Sequence, residues 1–248
     1  MKTTKQFYQF LIAVLIFCAL ILFSVLTVNA AEGSPSVGSE ATPAAEPQDS
    51  ELPPDIFDDH CDGGASCPGR VFTDMPKVSH WSHLPIDWAL THHITGGTGA
   101  NTFSPNKSCT RAEIVMFLWR ALGSRQPSIT SCSFTDVKSS AYYYTAVLWA
   151  AENGVVGGTS ATTFSPNRIC TRAQTVTFLW AAAGRPTPEE GGTNFRDVSA
   201  NAYYRDAVRW ASQNAITSGV SNNQFNPDGE CSRCQVVTFL YRLMKLGE

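Results

Sequence analysis

The sequence predicts an all-α fold of three helix-loop-helix repeats packed as a pseudo-threefold assembly. Two observations carry this: a self-similar period of about sixty residues, and a helix-start signal that recurs once in every period. Trp88, Trp149 and Trp210 are spaced by 61 and 61. The same register holds for Phe103, Phe164 and Phe225; for Pro105, Pro166 and Pro227; for Cys109, Cys170 and Cys231; and for Arg111, Arg172 and Arg233. Asp74, Asp136 and Asp197 open the copies at spacings of 62 and 61. The copies are bounded as 67–125, 129–186 and 191–248.

Each copy reads as two helices. The first covers about Ser82–Thr91, Tyr143–Asn153 and Tyr204–Asn214, with apolar positions such as Ala146, Val147, Trp149 and Ala150 on one face. Gly154 is a normal stop in copy two, whereas His93 and Ala215 stand there in copies one and three. A glycine loop follows, at Gly96-Gly97, Gly157-Gly158 and Ser218-Gly219. Next comes Phe-Ser-Pro-Asn, or Phe225-Asn226-Pro227-Asp228 in copy three. The second helix starts at Thr110-Arg111-Ala112-Glu113, Thr171-Arg172-Ala173-Gln174 and Ser232-Arg233-Cys234-Gln235. Each is a capping box: the hydroxyl accepts from the amide three residues on, and the Glu or Gln reaches back to the cap amide. The bodies are strongly apolar, for example Val115, Phe117, Leu118 and Trp119. Three such helices would bury one another best around a shared axis. A linear solenoid of helical hairpins is the alternative, and the lack of a polar capping repeat favours closure.

The ends of the chain differ in character. Residues 1–30 read as a signal peptide: Lys2 and Lys5, an apolar stretch from Phe10 to Val28, then Val28-Asn29-Ala30 with small residues for cleavage. An uncleaved membrane anchor is the rival reading, because the stretch approaches the length that spans a bilayer. Residues 31–66 read as a disordered, acidic, Pro/Ala-rich spacer with too little apolar surface to fold. The net charge of −3 therefore hides an acidic leader and a mildly basic folded part. That bias suits an anionic partner and is too weak to indicate nucleic acid.

Taken in order, Phe-x-Asp-Val/Met (Phe72–Met75, Phe134–Val137, Phe195–Val198), the Trp-Ala helix, the Gly loop, Phe-x-Pro and the Thr-Arg-Ala-Glu/Gln box resemble the S-layer homology (SLH) domain family. The resemblance covers about residues 70–245. It implies a three-pronged helical assembly and non-covalent attachment to secondary cell-wall polysaccharide, often through a pyruvate ketal. The chain is then secreted and held at the cell surface or wall. A partner protein is a possible cargo, and membrane contact is expected only if the N-terminal segment stays uncleaved.

The candidate polysaccharide site is assembled from matching positions. Arg111, Arg172 and Arg233 sit in a first helical turn, where amides and dipole favour anions and a guanidinium can grip a carboxylate. The plainer reading pairs each with its own copy's Asp74, Asp136 or Asp197, which themselves either bind sugar hydroxyls or fix a turn. Trp81, Tyr142 and Tyr203 fit a groove wall, and Gly97, Gly158 and Gly219 line the loop. Trp88, Trp149 and Trp210 fit the core. Copy three diverges at Ser218, Ser232 and Cys234, so Arg111 and Arg172 are the stronger site candidates.

Seven cysteines follow the leader, and an exported chain favours disulfides. Cys67–Cys109 and Cys132–Cys170 are the expected staples, with Cys231–Cys234 as a local option. Cys231-x-x-Cys234 also has redox spacing, which makes a thiol redox protein one alternative; a secreted protein acting on a host or neighbouring cell is another. His80, His83, His92 and His93 all fall in copy one, with no acidic or Cys partner at ligand spacing, so no metal is expected. No nucleophile motif, phosphate loop or paired catalytic carboxylates stand out, and no enzyme activity or cofactor is called for.

Overall fold

The computed structural model describes residues 61–191, 194–221 and 223–247. The expected signal peptide and the spacer up to residue 60 lie outside the described residues. Residues 61–66, assigned above to the spacer, belong to the folded unit. There the Gly64 N–H donates to Asp62 Oδ1 at 2.7 Å and the Cys67 N–H to Gly64 O at 3.2 Å. This turn leads into a short 3-10 segment, Pro68–Val71.

Among the described residues six α-helices follow: α1 His83–Thr91, α2 Arg111–Ala121, α3 Tyr144–Glu152, α4 Arg172–Ala182, α5 Arg205–Gln213 and α6 Arg233–Met244. The described residues form no strands, only isolated bridges. None of these helices is long and apolar enough to cross a membrane. The second helix of each copy starts where its capping box places it. Thr110 Oγ1 accepts from the Glu113 N–H at 3.2 Å, and Glu113 Oε2 accepts from the Thr110 N–H at 2.7 Å. Thr171 and Gln174 repeat the exchange at 3.3 Å in both directions. In copy three the Ser232 N–H donates to Gln235 Oε1 at 3.1 Å.

The first helices all stop in the same way, although only one has glycine at the stop. His93, Gly154 and Ala215 have φ of 52°, 62° and 55°. In each case the next residue's N–H bonds five residues back, Ile94 to Ala89, Val155 to Ala150 and Ile216 to Ala211. This is a Schellman stop, which sets the angle at which the chain leaves the helix for the glycine loop. Copies one and three hold it with side chains that strain in the left-handed region.

Packing runs between copies. α3 lies on α2, α5 on α4, and α1 on α6, while α2, α4 and α6 pack on one another. The two helices of a single copy do not pack together, so the unit is not a helical hairpin. A linear array would leave α1 and α6 without partners; here they cover each other. Trp88, Trp149 and Trp210 are buried in these contacts, as expected of core residues. The backbone closes the same circuit. The Cys109 N–H donates to Cys231 O at 2.9 Å, Cys170 to Cys109 O at 2.9 Å, and Cys231 to Cys170 O at 3.2 Å.

The strained stops make a direct test. Ala215→Gly is expected to raise stability by about 1 kcal/mol, the relief of left-handed strain exceeding glycine's entropic cost. Gly154→Ala is expected to lower it by a similar amount, and urea unfolding of the two variants reads both signs.

Candidate functional site

The three arginines are the most unusual buried groups. Arg111, Arg172 and Arg233 are each only 3% exposed. None pairs with its own copy's aspartate. Each crosses into the next copy, where Nε donates to the carbonyl of Phe164 (2.9 Å), Phe225 (2.9 Å) and Phe103 (3.0 Å), respectively. Arg111 Nη2 also donates to Gly157 O at 2.7 Å, and Arg233 Nη2 to Gly96 O at 2.7 Å and Thr95 Oγ1 at 3.1 Å. Each guanidinium lies over two phenylalanine rings, as Arg111 does over Phe164 at 4.8 Å and Phe178 at 5.1 Å. Burial pulls all three arginine pKa values down. Carbonyl dipoles and ring faces replace the water each cation has lost.

The first-turn amides are also occupied, which corrects the expectation of an open anion site there. The Arg111 and Ala112 N–H groups donate to Arg168 O and Pro166 O at 2.9 and 3.0 Å. Arg172 and Ala173 bond Gly229 O and Pro227 O in the same way, and Arg233 and Cys234 bond Lys107 O and Pro105 O. The next copy's backbone fills the positions an anion would take. What remains for a ligand is the guanidinium edge: among the described residues Nη1 of these arginines makes no hydrogen bond to protein.

The aspartates fix a turn. Asp74 accepts from the Phe103 and Ser104 N–H groups at 2.7 and 2.8 Å. Asp136 accepts from Phe164 and Ser165 at 2.8 and 2.7 Å, and Asp197 from Phe225 and Asn226 at 2.8 and 2.7 Å. Ser104, Ser165 and Asn226 have φ of 58–60°, so each carboxylate clamps a strained backbone. Burial raises the Asp197 pKa, and the donated N–H groups of Phe225 and Asn226 outweigh it, leaving the carboxyl below its ordinary value. Gly97, Gly158 and Gly219 lie where a Cβ would strike the rings of Phe72, Phe134 and Phe195. They let the loop pass close over those rings, and the rings pair with Phe103, Phe164 and Phe225 at 5.8, 5.6 and 5.7 Å.

Each junction therefore draws on two copies, and at the first an aromatic of the third copy lies nearby. Trp81, Tyr142 and Tyr203 are exposed at 52%, 68% and 67%. Tyr203 of copy three lies within electrostatic range of Arg111 of copy one, which is itself in range of Asp136 of copy two. Tyr142 and Arg233 both lie in range of Glu113 and Cys109. A cleft lined wholly by copy two, with Asp136, Lys138, Ser140, Asn167 and Arg168, adjoins the first junction through Arg168, whose carbonyl accepts from the Arg111 N–H. Its counterpart at the junction of copies three and one is lined by Asp74, Lys77, His80, Asn106 and Cys234. The junction of copies two and three has Ser199 and Gly229 where the first has Lys138 and Arg168. Of copy three's divergent positions, Ser218 lies in the loop that receives Arg172, whereas Ser232 and Cys234 lie at the start of the helix that carries Arg233.

The cysteines do not sit as the sequence suggested, and all seven described thiols are free. Cys109, Cys170 and Cys231 meet one another through the backbone circuit, while Cys67 lies beside His83 and Asp87. Register in sequence does not give proximity, because each loop packs on the next copy. Cys234 Sγ lies 3.3 Å from Ser232 Oγ. Burial pushes Cys231 up to about 12 and Cys170 up to about 11. A redox thiol needs an exposed, lowered pKa, so this geometry does not favour the redox reading. The histidine reading also changes. His83 has both acidic and cysteine partners, since Cys61, Cys67 and Asp87 bring their ligand atoms within 4.8 Å of its own and of one another. Sequence spacing missed this because the two thiols come from a segment read as spacer and staple; the signal was His83 and Asp87 on one helical face.

Two measurements follow. Arg172→Lys keeps the charge but loses the bond to Phe225 O, and is expected to cost about 2 kcal/mol in urea unfolding. The depressed Asp197 pKa contributes stability that is present above its unfolded value and is lost as pH falls through the folded one. Asp197→Asn is expected to be less stable at neutral pH and to show a shallower loss in acid.

The family pattern of the S-layer homology domain matches residues 71–115, 133–176 and 194–236, more than half of the chain. The chain is similar to an amylopullulanase of Thermoanaerobacterium thermosulfurigenes, 29% identical over 71% of this chain and 10% of the relative. It is similar to a surface-layer 125 kDa protein of Lysinibacillus sphaericus, 27% identical over 64% of the chain and 14% of the relative. A cellulosome-anchoring protein of Acetivibrio thermocellus is 24% identical over 62% of the chain and 38% of the relative. The chain thus spans from a tenth to under two fifths of these relatives' own lengths.

Proposed function

Because the chain belongs to the S-layer homology domain family, we propose that it attaches non-covalently to an anionic secondary cell-wall polysaccharide and so anchors itself at the cell surface. The surface-layer and cellulosome-anchoring relatives support the anchoring part of this reading. The observation that carries the ligand class is the composition of the junctions: a guanidinium edge with an exposed aromatic in electrostatic range, and a cleft that holds Lys138 and Arg168.

A pyruvate ketal places a carboxylate on a sugar ring. The carboxylate takes the Nη1 edge, where burial of the rest of the guanidinium strengthens the pairing. The ring stacks on Tyr203, Tyr142 or Trp81, and hydroxyls reach the cleft. Lys138 and Arg168 favour the first junction for this role, and Lys77 and His80 the third. The second is the weakest candidate.

Removing the arginine would unlock the fold, so the aromatics give the cleaner test. The triple variant Trp81→Ala, Tyr142→Ala, Tyr203→Ala is expected to keep its unfolding midpoint and to lose at least tenfold in affinity for purified walls, at roughly 1.4 kcal/mol per factor of ten. Undiminished sedimentation of this variant would reject the groove. Retention on walls stripped of the polysaccharide would reject the ligand class.

A further inference from the structure

We propose that Cys61, Cys67, His83 and Asp87 form a four-coordinate zinc site that pins the entry of the chain onto the first copy. The cluster lies in copy one and uses none of the junction residues. Cys61 Sγ is 3.3 Å and Cys67 Sγ 3.6 Å from His83 Nε2. His83 Nε2 is 3.2 Å from Asp87 Oδ2, and Cys67 Sγ is 3.3 Å from the same oxygen. A tetrahedral ion with Zn–S near 2.3 Å and Zn–N or Zn–O near 2.0–2.1 Å would set S···N edges of about 3.6 Å and N···O edges of about 3.3 Å. These four separations lie within about 0.3 Å of those edges, and all four donor atoms lie within 4.8 Å of one another.

The outer contacts aim the donors inward. His83 Nδ1 lies 2.7 Å from the Pro76 carbonyl, which can only accept; the ring proton therefore sits on Nδ1 and the Nε2 lone pair faces the cluster. Asp87 Oδ1 accepts from the Gly69 N–H at 2.9 Å, leaving Oδ2 toward the thiols. Two thiolates, an imidazole and a carboxylate are a zinc donor set, closed to further ligands as structural sites are.

The fold does not need these residues. Equivalent positions hold Tyr144 and Leu148 in copy two, and Arg205 and Arg209 in copy three, and both copies build the same helix. Copy one instead buries His83 and Asp87, each 4% exposed. A divalent ion binds the thiolates and so releases the thiol protons as it binds. The gain is local: turn 61–67 and segment Pro68–Val71 become tied to α1, where the chain enters the folded unit.

The test uses the whole chain, purified without chelator and analysed for metal, then stripped under reducing conditions and titrated with zinc or cobalt. The expected result is stoichiometric zinc, and cobalt bands of a tetrahedral thiolate site with the wild type that are absent with Cys67→Ser. Chelation is expected to lower the unfolding midpoint of the wild type and not that of the variant. His83→Gln serves as a second variant should Cys67→Ser fold poorly. Reduced wild type that retains no zinc and shows no cobalt thiolate bands would overturn the proposal, as would a Cys61–Cys67 disulfide in the secreted protein. Wall binding is read separately by sedimentation, so failure of this site leaves the junction reading standing.

Discussion

Each copy sends a buried guanidinium out of its own repeat and into the loop of the next. That cation cannot stay buried unless the neighbouring carbonyls and phenylalanine faces receive it. The receiving loop is itself shaped by an aspartate that clamps a left-handed turn, and by a glycine that lets it pass over a phenylalanine ring. The interaction is thus conditional on both sides. An isolated copy would hold an unsatisfied cation at one end and unpaired carbonyls at the other, which makes the three copies one cooperative unit rather than a string of independent modules.

The same arrangement shapes the ligand surface proposed at the junctions. Around Arg111, an arginine from copy one, a clamped turn from copy two and an exposed tyrosine from copy three come together. Sequence changes in one copy are therefore felt at a neighbour's arginine. Loss of basic side chains at Ser199 and Gly229 falls on Arg172, while the arginine of the divergent copy enters a loop flanked by Lys77 and Lys107.

Copy one carries a second, unrelated specialisation. Its first helix has exchanged apolar or surface residues for a buried histidine and aspartate, and two cysteines from the preceding turn meet them. Three of the remaining thiols serve packing: Cys109, Cys170 and Cys231 are small, fully buried residues at the point where the three backbones bond to one another. A small side chain suits that place, since three chains approach closely there.

By itself the sequence determined the number of copies, both helices of each, and the capped starts, because helix periodicity and capping are local properties read within a few residues. It marked the arginines as unfavourably placed for helix stability alone, and it placed the tryptophans in the core, where they are buried. The tertiary structure decided where those arginines go. Their partners lie 46 to 138 residues away, and no local rule says that a first-turn cation will seek the next copy's carbonyls rather than its own aspartate. It also decided the cysteines. Repeat register suggested that equivalent positions within a copy pair up, whereas packing between copies brings equivalent positions of different copies together and leaves Cys67 with His83 and Asp87. Proximity across copies is a consequence of closing the chain on itself, and closure is stabilised by contacts that exist only once all three copies are in place.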